Sequence, residues 1–296
     1  MRALNHLVIE PFISGPRLAK YKSFFNSKSN VELFGCYLWN KDIVSAFFPI
    51  IQLVEVALRN AIHNHATSSL GRYWFDNLAT KSISSLTFVQ QGNVRYHGSA
   101  LNSARNQIRQ ELNLAKHVTI SADRIVAKMT FGFWTNLFRV PFEVNRNPQA
   151  LWPALIRPVF PNLPRGHRGR VNIHTHIQAI QTFRNKAFHH EPVWNIGRPA
   201  SVPNAINELH SQKELLIKVL KWLSKDAVKL AERSGYIANL NLVLSQDYLN
   251  HLQNPNDNEK ALSVFKRELN SILKQDTIIV DLMKNNELIA KVYSSR

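Results

Sequence analysis

The stretch TFRNKAFHHEPVW, residues 182–194, concentrates side chains that can bind phosphate or move a proton. Asn185 follows Arg184 directly, and His189, His190 and Glu191 complete the cluster. A neutral imidazole can accept the proton of a ribose 2′-OH, and an imidazolium can protonate a leaving oxygen, because the ordinary pKa of histidine lies near about 6.5. Arginine stays charged and offers a planar fork of donors to phosphorane oxygens. These residue types suit cleavage of RNA and need no metal for it.

The spacing of this cluster requires the helix that carries it to end nearby. Five steps of an ideal helix rotate about 500°, which would leave Arg184 and His189 about 140° apart. Pro192 disfavours helical geometry at Glu191, so we expect the histidines in a last turn that can open. Asn185 and His189 are four residues apart and share a face. A plainer interpretation is also open, in which His189 stabilises the helix end and Arg184 pairs with Glu191.

Helices are the elements that would position this cluster. Apolar residues recur at three- and four-residue steps, the spacing of one buried helix face, over residues 42–66, 99–117, 121–140, 171–189 and 201–234. Pro49 is predicted to start or kink the first of these helices. Proline and glycine predict loops over residues 143–153 and 157–170. The fold class predicted is a mainly α bundle.

The pattern changes after about Gly235. Residues 276–295 contain two apolar runs, the first rich in β-branched side chains, on either side of Lys284, Asn285 and Asn286. This suggests a small C-terminal β-hairpin, although residues 288–292 would also suit a short helix. We therefore divide the chain into a helical domain, residues 1–234, and a C-terminal extension, residues 235–296.

Charge and composition indicate the class of partner. The chain has 37 Lys and Arg against 20 Asp and Glu, a net charge of +17, which favours a polyanion: RNA, DNA or an acidic membrane surface. The most apolar stretch, residues 43–58, is interrupted by Ser45, Gln52 and Glu55 and is shorter than the roughly 18 apolar residues of a membrane span. The one cysteine, Cys36, excludes an internal disulfide. With no leader pattern at the N-terminus, we expect a cytoplasmic protein that does not bind membranes.

Three further motifs have a chemical and a structural interpretation. In PRGHRGR, residues 164–170, flexible backbone and three guanidinium groups suit phosphate binding, while a solvated loop is the alternative; the arginines are Arg165, Arg168 and Arg170. FGFW, residues 131–134, could stack bases, but we predict core packing, with Gly132 permitting close approach of another helix. His174 and His176 could join His189 and His190 around a metal, but two-residue spacing separates the first pair on a helix, and we predict no metal site.

Five stretches, in their order and spacing, resemble one known family. They are ISGPRLAKYKSFF (13–25), CYLWN (36–40), EVALRNAI (55–62), MTFGFWTNLF (129–138) and FRNKAFHHEPVW (183–194). The chain resembles the Abi-like proteins of bacteria, which are associated with abortive infection and phage resistance and belong to the HEPN ribonuclease superfamily of helical domains. The last stretch is the most specific, because the superfamily motif is an arginine, four to six residues and then a histidine, usually with asparagine after the arginine.

The resemblance implies a metal-independent endoribonuclease without a cofactor that leaves a 2′,3′-cyclic phosphate and acts in phage defence or as a toxin. Its catalytic residues would be Arg184 and His189, with Asn185 in support. HEPN domains commonly pair so that two motifs face one cleft, which implies a homodimer. The further residues that could support this cleft are His190, Glu191, Glu55, Arg59 and Asn60.

A second motif is conceivable within the same chain. Asn60 follows Arg59, and His65 lies within the spacing of the superfamily motif. We favour a structural explanation, in which Glu55 and Arg59 form a pair four residues apart and His63 and His65 are surface polar groups.

Two other functions stay open. The chain could be a noncatalytic RNA-binding or regulatory protein with the same fold, or a helical DNA-binding protein, although no recognition helix stands out. Cleavage that requires a 2′-OH would separate the ribonuclease from the DNA-binding protein. An antitoxin protein or a small RNA that restrains the activity would be a further partner of such a ribonuclease.

Overall fold

Helices dominate the fold, which confirms the predicted mainly α class. A computed structural model describes residues 6–144, 149–167, 169–254, 262–274, 279–284 and 287–293. Their helices are α1 (His6–Ile13), α2 (Gly15–Phe25), α3 (Asn30–Leu70), α4 (Phe88–Glu111), α5 (Ala122–Lys128), α6 (Phe131–Asn136), α7 (Ile156–Val159), α8 (Arg170–Phe188), α9 (Val202–Leu223), α10 (Lys225–Arg233), α11 (Tyr236–Val243), α12 (Gln246–Gln253) and α13 (Leu262–Leu273). Two strands follow, β1 (Ile279–Lys284) and β2 (Glu287–Tyr293).

The described residues form two compact units, and each is built from separate parts of the chain. The first unit comprises the described residues of Met1–Pro49, Lys186–Glu214 and Leu230–Arg296; the second comprises those of Ile50–Asn185 and Leu215–Lys229. Residues after Gly235 therefore belong to the same unit as α1, α2 and the first part of α3. The predicted boundary near Gly235 does not coincide with the division between these units.

The longest helix, α3, has 41 residues and continues through Pro49, so the prediction that a helix would start at this proline is wrong. Apolar residues on both sides of the proline are fully buried, among them Phe47, Ile50 and Val54. Burial of this continuous apolar face outweighs the helix-breaking tendency of one proline.

Two of the predicted helices are each divided in the structure. The segment predicted as one helix over 121–140 contains α5 and α6, separated at Met129 and Thr130, where Thr130 adopts an extended conformation and precedes the first turn of α6. The segment 201–234 contains α9 and α10, because Ser224 Oγ accepts a hydrogen bond of 3.1 Å from the backbone N–H of Ala227. Threonine and serine commonly occupy such positions at the beginning of a helix.

The C-terminal helices pack against the first part of α3 within the first unit. Trp39 Nε1 donates to the carbonyl of Val243 at 2.8 Å, and Tyr248 donates through its hydroxyl to Asp42 Oδ2 at 2.8 Å. A Cβ added to Gly35 would lie 2.7 Å from the carbonyl carbon of Leu252. Only glycine therefore allows this approach of α3 to α12.

The strand pair lies where the sequence suggests a hairpin. β1 and β2 are antiparallel, with Ile279 opposite Tyr293 and Lys284 opposite Glu287, and the register shifts between Leu282 and Met283. Asn285 and Asn286 lie outside the described residues. None of the helices in the described part of the chain is both long and apolar enough to cross a membrane.

Candidate active site at the end of helix α8

The apolar residues of α8 leave one side of the helix for polar groups. Its buried residues are spaced three or four apart, at Ile173, Ile177, Ile180, Phe183 and Ala187. This is the stripe of an amphipathic helix packed against a core. Arg184 and Asn185 lie beside the stripe and are partly exposed. The predicted motif therefore begins on a helix that is fixed by its own core contacts.

The helix ends at Phe188, so His189 occupies the capping position after it. The backbone N–H of Glu191 donates to the carbonyl of Lys186 at 3.0 Å, and that of His190 donates to the carbonyl of Ala187 at 3.2 Å. His190 has a φ of 58°, the left-handed conformation that usually favours glycine. These bonds and this conformation form a Schellman cap. The helix thus ends by a defined turn, and it ends one residue earlier than predicted.

Both histidines and Glu191 are exposed at this turn. A C-terminal helix end attracts positive charge because its last carbonyls have no partner within the helix. Exposure of His189 leaves its ring nitrogens accessible to a substrate.

A buried asparagine holds the segment after the turn. Asn40 on α3 accepts a hydrogen bond of 2.8 Å from the backbone N–H of Val193 through Oδ1. Its Nδ2 donates to the carbonyl of Glu191 at 3.5 Å. The side chain of Asn40 thus satisfies a donor and an acceptor of the chain that leaves the motif, and this role was not foreseen from the sequence.

Trp194 anchors the same segment in an aromatic cluster with α2. Its ring stacks on Phe24 with 4.4 Å between ring centroids, and meets Tyr21 and Phe25 edge-on at 5.4 and 5.1 Å. Trp194 and Tyr21 are almost fully buried. Burial raises the pKa of the Tyr21 hydroxyl, so this ring stays neutral. Three stretches that carry the family resemblance therefore meet here: the N-terminal stretch, CYLWN and the end of the motif.

In the second unit, Arg184 contacts an acidic residue from α3. Its Nε lies 3.7 Å from Oε2 of Glu55, and the two side chains are 28% and 25% exposed. Arg184 Nη1 also donates to Asn185 Oδ1 at 3.5 Å. The structure thus brings together three residues of the predicted site: Arg184, Asn185 and Glu55.

Arg59 and Asn60 repeat the contact between an arginine and the asparagine after it. Arg59 Nε donates to Asn60 Oδ1 at 3.2 Å, and both residues lie on α3, one and two residues beyond the buried Leu58. His65, the histidine of the conceivable second motif, is partly exposed on the same helix.

His63 is not the surface group that was predicted. It is buried, and Trp74 Nε1 donates to its Nδ1 at 3.1 Å. Nε2 then bears the proton and lies 3.3 Å from Asp123 Oδ1. Arg72 and, to a lesser extent, His63 lower the pKa of Asp123. His63 thus links α3 to Trp74 and to α5, which is a structural role.

The two described arginines of PRGHRGR differ in their exposure. Arg165 is exposed, in a short 3₁₀ helix over Arg165–His167. Arg168 lies outside the described residues. Arg170 is buried: its Nε donates to Glu143 Oε2 at 2.7 Å, and Nη1 donates to the carbonyl of Phe138. Its burial, with Nε and Nη1 bonded inside the second unit, disfavours the predicted contact of Arg170 with RNA.

The histidines considered as metal ligands differ in their surroundings. His176 Nδ1 donates to the carbonyl of Asn172 at 2.8 Å, and its Nε2 accepts from Lys218 Nζ at 3.0 Å. Burial, together with the charges of Arg139 and Arg170, lowers the pKa of His174 to about 4. Within the described ranges, no three His, Cys, Asp or Glu side chains are grouped so that they could hold a metal ion.

Comparison with known proteins places the chain in a family. Searches of curated proteins and of solved structures find no match. The family model described as Abi-like protein matches residues 10–195, a range that includes all five stretches and ends one residue after Trp194. Because this match covers more than half of the chain, the protein belongs to the Abi-like family.

Proposed function

We propose that the protein is a metal-independent endoribonuclease of the HEPN type, acting in phage defence or as a toxin. The observation that carries the proposal is the end of α8, where a partly exposed Arg184 precedes an exposed His189 held by a defined cap. Membership of the Abi-like family supports a role in abortive infection. The net charge of +17 and the exposed Arg165 favour RNA as the ligand.

The chemistry assigned to these residues is a transesterification within the RNA. Neutral His189 takes the proton of a ribose 2′-OH, and the 2′ oxygen attacks the adjacent phosphorus. The bond from phosphorus to the 5′ oxygen breaks, and a protonated histidine gives its proton to that oxygen. The products are a 2′,3′-cyclic phosphate and a 5′-OH. Arg184 stabilises the charge that develops on the phosphorane oxygens, and Asn185 supports its guanidinium.

This mechanism needs an acid and a base at the same time, whereas each chain supplies one His189. Two copies of the chain, with their motifs facing one RNA, would divide these tasks. We therefore include a homodimer in the proposal. His190 and Glu191, exposed in the same turn, and Arg59 and Asn60 on α3 are the further candidates for contact with RNA.

The test compares the wild-type protein with Arg184→Ala and His189→Ala on a labelled RNA in excess EDTA, with binding and cleavage measured side by side. Arg124→Ala and His117→Ala are matched controls, because both residues are exposed and lie outside the motif. We expect the wild type and controls to cut and to leave a cyclic phosphate, while both motif variants bind RNA and cut at least about 100-fold more slowly.

Other outcomes select the alternatives. If wild-type and variant proteins bind RNA equally and none cuts, the motif only holds phosphate, as in a noncatalytic RNA-binding or regulatory protein. Cleavage of an all-deoxy oligonucleotide would exclude attack by a 2′-OH and would favour a protein that acts on DNA.

A further inference from the structure

A polar pocket opens one helical turn before Arg184, within the second unit. Its volume is about 330 Å³, near the lower end of the range for small-molecule sites. Helices α4, α6 and α8, together with the segment after α6, provide its lining, which includes Tyr96, Gly132, Thr135, Asn136, Arg139 and Gln181. None of these residues is among those predicted for the active site.

The pocket presents donors and acceptors with free capacity. In the part of the chain that the structure describes, the side chains of Tyr96, Arg139 and Gln181 have no hydrogen-bond partner. Asn136 is buried, and its Nδ2 donates to the carbonyl of Asn93 at 3.0 Å, which leaves Oδ1 as its acceptor. Thr135 donates to the carbonyl of Phe131 and keeps acceptor capacity on its hydroxyl oxygen. A ligand that fits these groups must both donate and accept hydrogen bonds.

Glycine at position 132 keeps this space open. A Cβ at Gly132 would lie 3.0 Å from the Tyr96 hydroxyl oxygen and 3.1 Å from Gln181 Nε2. The sequence predicts that Gly132 permits close approach of another helix. In the structure, the groups that approach Gly132 are the side-chain ends of Tyr96 and Gln181, not the backbone of a second helix.

The position of Gln181 relates the pocket to the motif. Gln181 is three residues before Arg184 and four before Asn185 on α8, so these two side chains emerge about 60° and 40° to either side of Gln181 around the helix axis. An RNA chain bound with one phosphate at Arg184 would place a neighbouring nucleotide in the pocket.

We propose that this pocket binds a single unpaired guanine base of RNA. A base suits it better than a phosphate, because Arg139 is the one cation among the described lining residues and the acceptor oxygens of Thr135 and Asn136 would repel an anion. The exposed ring of Tyr96 can stack on an unpaired base. The inference rests on the proposed ribonuclease function for the identity of the ligand as RNA.

Guanine fits the hydrogen-bond donors and acceptors of the pocket better than adenine does. Guanine offers two acceptors, N7 and O6, to the fork of Arg139, and its N2 amino group is a donor for the acceptor oxygen of Asn136 or Gln181. Adenine places an amino donor where the arginine needs an acceptor. The pocket would thereby decide where an RNA is cut, by selecting the base beside the scissile phosphate.

The test measures calorimetric binding of guanosine 5′-monophosphate and adenosine 5′-monophosphate to the full-length protein. We expect wild type to bind the guanosine nucleotide about tenfold tighter or more. Gly132→Ala and Gln181→Leu should abolish this preference. Gly98→Ala is the matched control, because a Cβ at this position on α4 meets no atom within 4 Å, and it should bind as wild type does.

Cut-site mapping on one RNA gives the second measurement. We expect cuts beside guanine in the wild type and a loss of this bias in Gln181→Leu. Equal affinity for the two nucleotides, or a preference that survives Gly132→Ala, would overturn the inference. Preferential guanosine binding by a protein that cuts no RNA would support the pocket and refute the proposed function, so the two failures are distinguishable.

Discussion

The side-chain oxygen of Asn40 accepts a hydrogen bond of 2.8 Å from the backbone N–H of Val193, a residue 153 positions away. Through this bond, a fully buried amide on α3 fixes the chain four residues after His189. A residue that has no part in the proposed chemistry thus holds the chain that leaves the motif turn.

Replacement of Asn40 should therefore lower both stability and cleavage. In Asn40→Ala, the buried N–H of Val193 loses its acceptor, which should reduce the free energy of unfolding by about 1–3 kcal/mol. Cleavage should fall about tenfold or more at a temperature where the variant is folded, because the motif turn is less well held. Denaturant unfolding and an RNA cleavage assay measure the two effects. Asn64→Ala, an exposed site on the same helix, should change stability by less than about 0.5 kcal/mol. A normal cleavage rate in Asn40→Ala would show that the motif turn keeps its conformation without the hydrogen bonds of Asn40.

Glu55 should orient Arg184 rather than merely neutralise it. Glu55→Gln removes the charge that lies 3.7 Å from the guanidinium, and we expect cleavage about tenfold slower, because the arginine loses its fixed position. RNA binding should be as tight or tighter, since the variant is more positively charged. Glu111→Gln, which breaks a pair with Lys128 elsewhere, should change cleavage little. Faster cleavage by Glu55→Gln would mean that the carboxylate only offsets the positive charge that Arg184 presents to the phosphate.

Local patterns predict α8 well, whereas distant partners could not be predicted. The sequence indicates a helix over 171–189, and the helix spans 170–188, because the buried residues from Ile173 to Ala187 have helical spacing. The burial of Arg170 depends on Glu143, and Pro49 stays helical because of packing along the whole of α3. Such outcomes depend on contacts that a spacing argument does not contain.

His190 occupies a backbone conformation that glycine adopts at lower cost. Its φ of 58° predicts that His190→Gly stabilises the protein by up to about 1 kcal/mol, while His190→Val destabilises it by about 1–2 kcal/mol. If His190 has only this capping role, His190→Gly should cut RNA at the wild-type rate. A large loss of cleavage in this stable variant would instead assign His190 to the RNA site. Thermal unfolding and the cleavage assay distinguish the two roles.

His174 should make stability depend on pH. Burial, with the charges of Arg139 and Arg170, lowers its pKa from the ordinary 6.5 to about 4. The unfolded chain therefore binds a proton at higher pH than the folded protein does. The stabilisation is complete above about pH 6.5 and is lost as the pH falls toward about 4. The difference in unfolding free energy between wild type and His174→Gln should shrink over this window. A constant difference for His174→Gln would show that protonated His174 is accommodated in the fold.

Gly35 should be the glycine least tolerant of a side chain. In Gly35→Ala, the added Cβ would lie 2.7 Å from the carbonyl carbon of Leu252 and 2.8 Å from the backbone nitrogen of Gln253. Because both atoms belong to the backbone of α12, α3 and α12 must separate, and we expect a loss of about 1–3 kcal/mol. Gly98→Ala, in open space on α4, should instead stabilise the protein by about 0.5–1 kcal/mol. Equal stability of the two variants, measured by denaturant unfolding, would show that α12 is not seated on α3. A loss confined to Gly35→Ala would show that the helices after Gly235 are part of the same core as the first part of α3.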